Sequence, residues 1–195
     1  MTVDLGQATL VAALVAAIAS IFTLVINIRA ASSAEMRLAH RQALEKYVHE
    51  LSGAIHSTIA TANILTKAKT EPALQNWRDR ADEAQAKLKE LRILLRYQLW
   101  GITDAIGTLS RLPDWVENSR RFPEHSQKVF SKGRALGRHI DIAIRNSYLQ
   151  GRRPTWLECI KVNYAARQLE TTYAKFRADP TLRTKEVETE DPIVD

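Results

Sequence analysis

One cysteine, Cys159, is present in 195 residues, so no intramolecular disulfide can form, and a lone thiol fits a reducing compartment. Glycine and proline are scarce, at seven and six residues, and the prolines punctuate periodic segments rather than interrupt them. No internal repeat and no convincing alternating strand pattern is present. The five histidines, His40, His49, His56, His125 and His139, form neither an HExxH helix nor a Cys and His zinc spacing. There is no Gly-rich phosphate loop, no GxSxG elbow and no readable carboxylate pair. Catalytic, cofactor-binding and metal residues are accordingly assigned as none, and the chain is read as a non-enzyme without a cofactor.

The absence with the largest consequence is of charge, which is missing from Leu5 to Ile28. Apart from Gly6, Gln7, Thr9, Ser20, Thr23 and Asn27 that run is apolar, and at ~1.5 Å per residue it is roughly 36 Å long, enough to cross a ~30 Å hydrocarbon core as one helix. A cleaved signal peptide fits less well, because only Asp4 precedes the run where a positive n-region belongs. Residues 1–28 therefore predict an uncleaved transmembrane signal-anchor. The first basic residues, Arg29, Arg37 and Arg41, all follow it. By the positive-inside rule the N-terminus lies outside the cell membrane and the C-terminal domain is cytoplasmic.

Small and polar residues gather on one half of the anchor. Ala12, Ala16 and Ser20, with Asn27 below them, form a row along which two helix backbones can approach closely, and this predicts a membrane-helix packing seam. No acidic or basic side chain within the span marks an ion pathway.

The remainder reads as all-α. Leu44, Val48, Leu51, Ile55, Ile59, Ala62 and Leu65 make one apolar stripe. After a turn at Lys69–Pro72, a second runs through Leu74, Trp77, Ala81, Ala84, Leu88, Leu91, Leu95, Gln98, Ile102, Ala105, Leu109 and Leu112 at alternating three- and four-residue steps. That is the heptad pattern of a coiled coil, with Gln98 as the polar member that favours one register. The two stripes predict a long antiparallel hairpin whose first helix leaves the membrane and whose second, Pro72 to Leu112, returns to it. Trp115, Arg120, Arg121 and Phe122 are then expected at the membrane surface.

Two shorter helices follow. Val129, Gly133, Leu136, Ile140 and Ala143 line the third, in which Gly133 and Gly137 permit close helix contact. Thr155 and Glu158 form a capping box that opens the fourth, with Trp156, Cys159, Ile160, Asn163, Ala166, Leu169, Tyr173 and Phe176 as its buried side. The expected architecture is a transmembrane helix followed by an up-and-down four-helix bundle. Residues 1–28 are the anchor, 29–178 the cytoplasmic bundle and 179–195 an acidic, disordered tail.

The formal charge of +6 conceals that the tail holds two basic residues against six acidic ones, so the bundle is the more basic part. Between Arg120 and Arg153 nine basic residues face only Glu124 and Asp141. Three explanations compete: contact with anionic lipid, a solvated helix face, and, well behind, nucleic acid, for which no RNP-like, helix-turn-helix or zinc-finger pattern is present. The leading functional expectation is a single-pass membrane-anchored interaction or scaffold protein that self-associates as a homo-oligomer or docks on a membrane protein partner. A membrane effector or pore-forming component activated by clustering is the alternative. A nucleic-acid-binding tether, or an enzyme with an unfamiliar site in a groove near Arg96, Tyr97 and Trp100, ranks last.

Overall fold

The computed structural model describes residues 5–67 and 71–179, with side chains described for 18–67 and 74–179. The described residues are helical, without strands, and fold as a bundle. The helices are α1 (Leu5–Leu65), α2 (Glu71–Leu94), α3 (Thr103–Ser110), α4 (Leu112–Asn118), α5 (Pro123–Gln150) and α6 (Trp156–Ala178). The turn expected after Lys69 falls partly on residues 68–70, and the acidic tail falls on residues 180–195; both lie outside the described residues.

Helix α1 is continuous for 61 residues and passes through Ser32 and Ser33 without a break. Only its C-terminal half joins the bundle. Leu44, Leu51, Ile55, Ala62 and Leu65 are buried in the core, as their 3.6-residue spacing requires. Helix α2 packs antiparallel to α1, with Lys87 Nζ 3.2 Å from Glu50. Helix α5 is also antiparallel to α1. Ser52 donates to Asp141 at 2.7 Å, and the Gly137 backbone passes so close to Ile59 that a Cβ there would collide with its Cδ1. Gly133 stands likewise against Leu112. Both glycines of α5 thus serve close helix contact.

The second apolar stripe is buried from Leu74 to Leu112 almost throughout, yet it is not one helix. The chain leaves α2 after Leu94, turns through 95–102 and runs back along α2 as α3 and α4. Arg92 pairs with Asp104 at 3.0 Å, Gln85 donates to Asp114 at 2.6 Å, and Arg78 pairs with Glu117, which places the two segments antiparallel. Gly101 supports the reversal with a φ of +92°, a conformation that L side chains rarely adopt. Gln98 consequently sits in this turn rather than in a helix seam, and its Oε1 is buried without a hydrogen-bond partner.

The expected four-helix layout therefore becomes five rods, α3 and α4 counting as one bent at Arg111. The rods α1, α3/α4 and α6 run away from the end at which α1 enters the bundle, and α2 and α5 run toward it. We call that end the base and the opposite one the tip.

The expected transmembrane helix is not supported within the described residues, where no helix is long and apolar enough to cross a membrane. The charge-free run lies largely in residues 5–17, whose side chains are outside the description. Its described remainder, Ile18 to Ile28, is roughly 16 Å long at ~1.5 Å per residue.

Candidate functional site

Two features of the molecule lie outside the packing of the bundle: the N-terminal half of α1 and the base from which it projects. Along α1, Ile18, Ile21, Phe22, Leu24, Val25, Ile26 and Ile28 are all exposed, Phe22 to 67%. At ~100° per residue they cover somewhat more than half of the helix circumference, the remainder being Ala19, Ser20, Thr23 and Asn27, and the bundle covers none of them. Thr23 returns its hydroxyl to the Ala19 carbonyl at 2.8 Å, which leaves the helix surface less polar than its sequence suggests. Of the proposed packing seam, Ser20 and Asn27 lie on this exposed length, and the side chains of Ala12 and Ala16 are outside the description.

The base is made by the two reversals 95–102 and 151–155. Gly151 closes α5 in the left-handed conformation, φ +61°, and its backbone N–H bonds the Tyr148 carbonyl at 3.2 Å. It stands against α1 so closely that a Cβ would come within 2.6 Å of the Arg37 carbonyl oxygen. Next to it, His40 Nε2 lies 3.0 Å from Ser147 Oγ, which donates to the Arg152 carbonyl at 2.5 Å. The serine proton is thereby committed to the backbone, and His40 is the donor to it. Burial, and then the Arg153 charge, hold the His40 imidazole below its usual range, against an opposing backbone hydrogen bond at Arg152.

The start of α6 is fixed by the expected capping box. Glu158 N–H donates to Thr155 Oγ1 at 3.3 Å, and the Thr155 N–H donates to Glu158 Oε2 at 2.7 Å. The Thr155 hydroxyl also donates to Glu158 Oε2 at 2.7 Å, and Asn146 of α5 donates to Oε1 at 2.7 Å. Burial raises the Glu158 carboxyl, but these donors and the charge of Arg152 outweigh it, and the group sits below the ordinary carboxylate range. The neighbouring Cys159 thiol is pushed up by burial and by the Glu158 charge, which removes the thiolate character a nucleophile needs.

Two clefts open at the base. One, of about 720 Å³, is lined by Arg92, Arg96, Trp100, Gly101, Asp104 and Asn163. The other, of about 570 Å³, lies between α1 at Ser33–Ala43 and the loop residues Tyr97, Gln98, Arg152 and Arg153. The groove expected around Arg96, Tyr97 and Trp100 is thus present, divided between two shallow depressions. Among the described residues no three His, Cys, Asp or Glu side chains come together in a way that could hold a metal ion.

The residues expected at the membrane surface are elsewhere. Trp115 stacks on Tyr173 with ring centroids 4.7 Å apart, and Phe122 meets Phe176 edge-on at 5.8 Å. Their expected return toward the membrane depended on an unbroken helix from Pro72 to Leu112. The reversal at 95–102 instead carries Trp115, Arg120, Arg121 and Phe122 to the tip, about the length of α5 away from where α1 projects. Helix α6 supplies a further departure: Trp156 and Ile160, expected on its buried side, are 70% and 53% exposed, and Val162 and Ala165 take the core positions instead. No protein family, curated protein or solved structure matches the chain.

Proposed function

We propose that the protein is a single-pass membrane-anchored helical bundle that acts by assembly, with itself or with a membrane partner, rather than by catalysis. The observation that carries this reading is the bare apolar collar of α1 from Ile18 to Ile28, continuous in sequence with the charge-free residues Leu5 to Ala17. A largely apolar, charge-free helix surface belongs in lipid or inside a larger core, and the bundle offers it no cover. Exposure of this collar to water would be unfavourable by about 1.5–3 kcal/mol for each large side chain, so the isolated protein is an incomplete assembly without a bilayer. Arg29, Arg37 and Arg41 follow the collar, which supports an outside N-terminus and a cytoplasmic bundle.

Assembly is assigned to the Ala12, Ala16, Ser20 and Asn27 face of α1. Small residues there allow close backbone approach, and the Asn27 amide gains from a partner in hydrocarbon. The test is crosslinking in native membranes of a Cys159→Ser protein carrying Ser20→Cys or Asn27→Cys. Covalent dimers or a discrete partner adduct are expected. Monomers alone, from protein recovered in the membrane fraction, would overturn the assembly assignment.

A further inference from the structure

We propose that the base of the bundle, formed by the reversals 95–102 and 151–155 with the first turn of α6, is a docking surface for the anionic headgroups of the membrane in which α1 is anchored. The inference rests on the anchoring proposed above and adds a second, separately testable contact.

Position is the first argument. The turns 95–102 and 151–155 lie at the end of the bundle where α1 projects, as the cleft shared by Ser33, Arg37, Tyr97 and Arg152 shows. From Ile28, where the apolar run stops, to Ser33 and Arg37 is five and nine residues of unbroken helix, a rise of roughly 8 and 13 Å. The headgroup layer of one leaflet is about 5–8 Å thick, and surface charge is felt over a Debye length of ~8–10 Å beyond it. A straight α1 thus brings the base to the headgroups without any bend.

Composition is the second. Tyr97, Trp100, Trp156 and Leu157 are exposed here, with Leu149 beside them, Tyr97 to 69% and Trp100 to 61%. The aromatic residues of the tip behave in the opposite way, since Trp115, Tyr173, Phe122 and Phe176 pack on one another. Amphipathic rings left in solvent at one end of a molecule suit the bilayer interface, where Trp and Tyr are enriched.

Charge is the third. Arg37, Arg96, Arg152 and Arg153 surround these rings. Two of the acids nearby are already engaged, Asp104 by Arg92 at 3.0 Å and Glu158 by its capping box and Asn146; Glu35 on α1 is the third. The base is therefore a cationic surface carrying interfacial aromatics, which complements anionic lipid and opposes neither leaflet packing nor the emergence of α1.

The test uses the full chain reconstituted in vesicles of phosphatidylcholine alone or with about one-third phosphatidylserine, carrying a headgroup-level nitroxide quencher. Single-tryptophan variants keep Trp100, Trp156 or Trp115, with the others replaced by Phe, and each is checked for native helicity. Trp100 and Trp156 should quench several-fold more than Trp115 in anionic vesicles, and less in neutral ones. Arg152→Gln and Arg153→Gln should each lower the docked-to-undocked ratio about fivefold. Quenching of Trp100 and Trp156 no greater than that of Trp115, in protein that still resists alkaline carbonate, would overturn docking and leave the anchor standing. Carbonate release would instead strike at the anchor. Unquenched tryptophans together with base-to-base crosslinks through Leu157→Cys would give the surface to a second copy and also overturn the proposal.

Discussion

Replacing Gly151 by alanine should destabilise the protein, whereas the same replacement at Gly53 should stabilise it. Gly151 has a φ of +61°, and an L residue in that region costs about 1–2 kcal/mol. The new Cβ would also lie 2.6 Å from the Arg37 carbonyl oxygen and 3.0 Å from Arg37 Cβ. Because the closest atom is helix backbone, α1 and the end of α5 must separate, and overpacking of this kind costs ~1–3 kcal/mol. The two effects together amount to about 2–5 kcal/mol. Gly53 sits inside α1 with nothing within 4 Å of an added methyl, so Gly53→Ala should gain ~0.5–1 kcal/mol from the lower entropy of its unfolded chain. At roughly 2–4 °C per kcal/mol for a chain of this size, Gly151→Ala should lower Tm by on the order of 10 °C and Gly53→Ala should raise it by about 2 °C. Thermal melts of the full chain in detergent micelles, followed by helical circular dichroism, read both. A Gly151→Ala protein as stable as the parent would refute the close seating of the base on α1.

The capping box predicts that Thr155→Ala costs ~1 kcal/mol and frays the first turn of α6, measured as faster hydrogen exchange at Trp156 to Cys159. The folded Glu158 carboxyl lies below its reference value of 4.5, so its contribution is present above pH 4.5 and is lost as pH falls through the depressed folded value; Glu158→Gln should flatten that limb of a stability-against-pH curve. His40 is likewise held below 6.5 in the fold, so its neutral form supports stability above pH 6.5 and that support declines as pH falls further. His40→Gln should remove this step from urea unfolding midpoints taken between about pH 7.5 and 5.5.

Much of the core was legible because burial in a helix follows a period that the sequence writes directly. Leu44 to Leu65 and Val129 to Ala143 occupy the positions their spacing assigns, and the Thr155 and Glu158 pair opens α6 as its chemistry requires. The reversal after Leu94 was hidden by that same regularity. Helices α2 and α3 each bury a stripe, and the two stripes join nearly in phase across Leu95, Leu99 and Ile102, so a three-and-four spacing continues through a turn that only Gly101 marks. That turn puts Trp115 and Phe122 at the end of the molecule opposite to the one an unbroken helix implies. At the start of α6 the hydrophobic residues are not the buried ones. At ~100° per residue Trp156 and Ile160 lie more than about 120° around α6 from the centre of the core face made by Val162, Ala165, Ala166 and Leu169, and the signal available was an aromatic residue set beside two arginines. Periodicity could not supply it, because apolar residues on both sides of α6 widen the apparent stripe and misplace the centre of the buried face.

The central claim, that α1 holds this bundle on a bilayer, is tested most directly by alkaline carbonate extraction of membranes from cells expressing the full chain at native level. The account predicts that the intact protein stays in the pellet, and that Phe22→Arg combined with Val25→Arg, on the exposed collar outside the bundle core, moves it to the supernatant with its helicity retained. Quantitative release of the unaltered chain into the supernatant would contradict it.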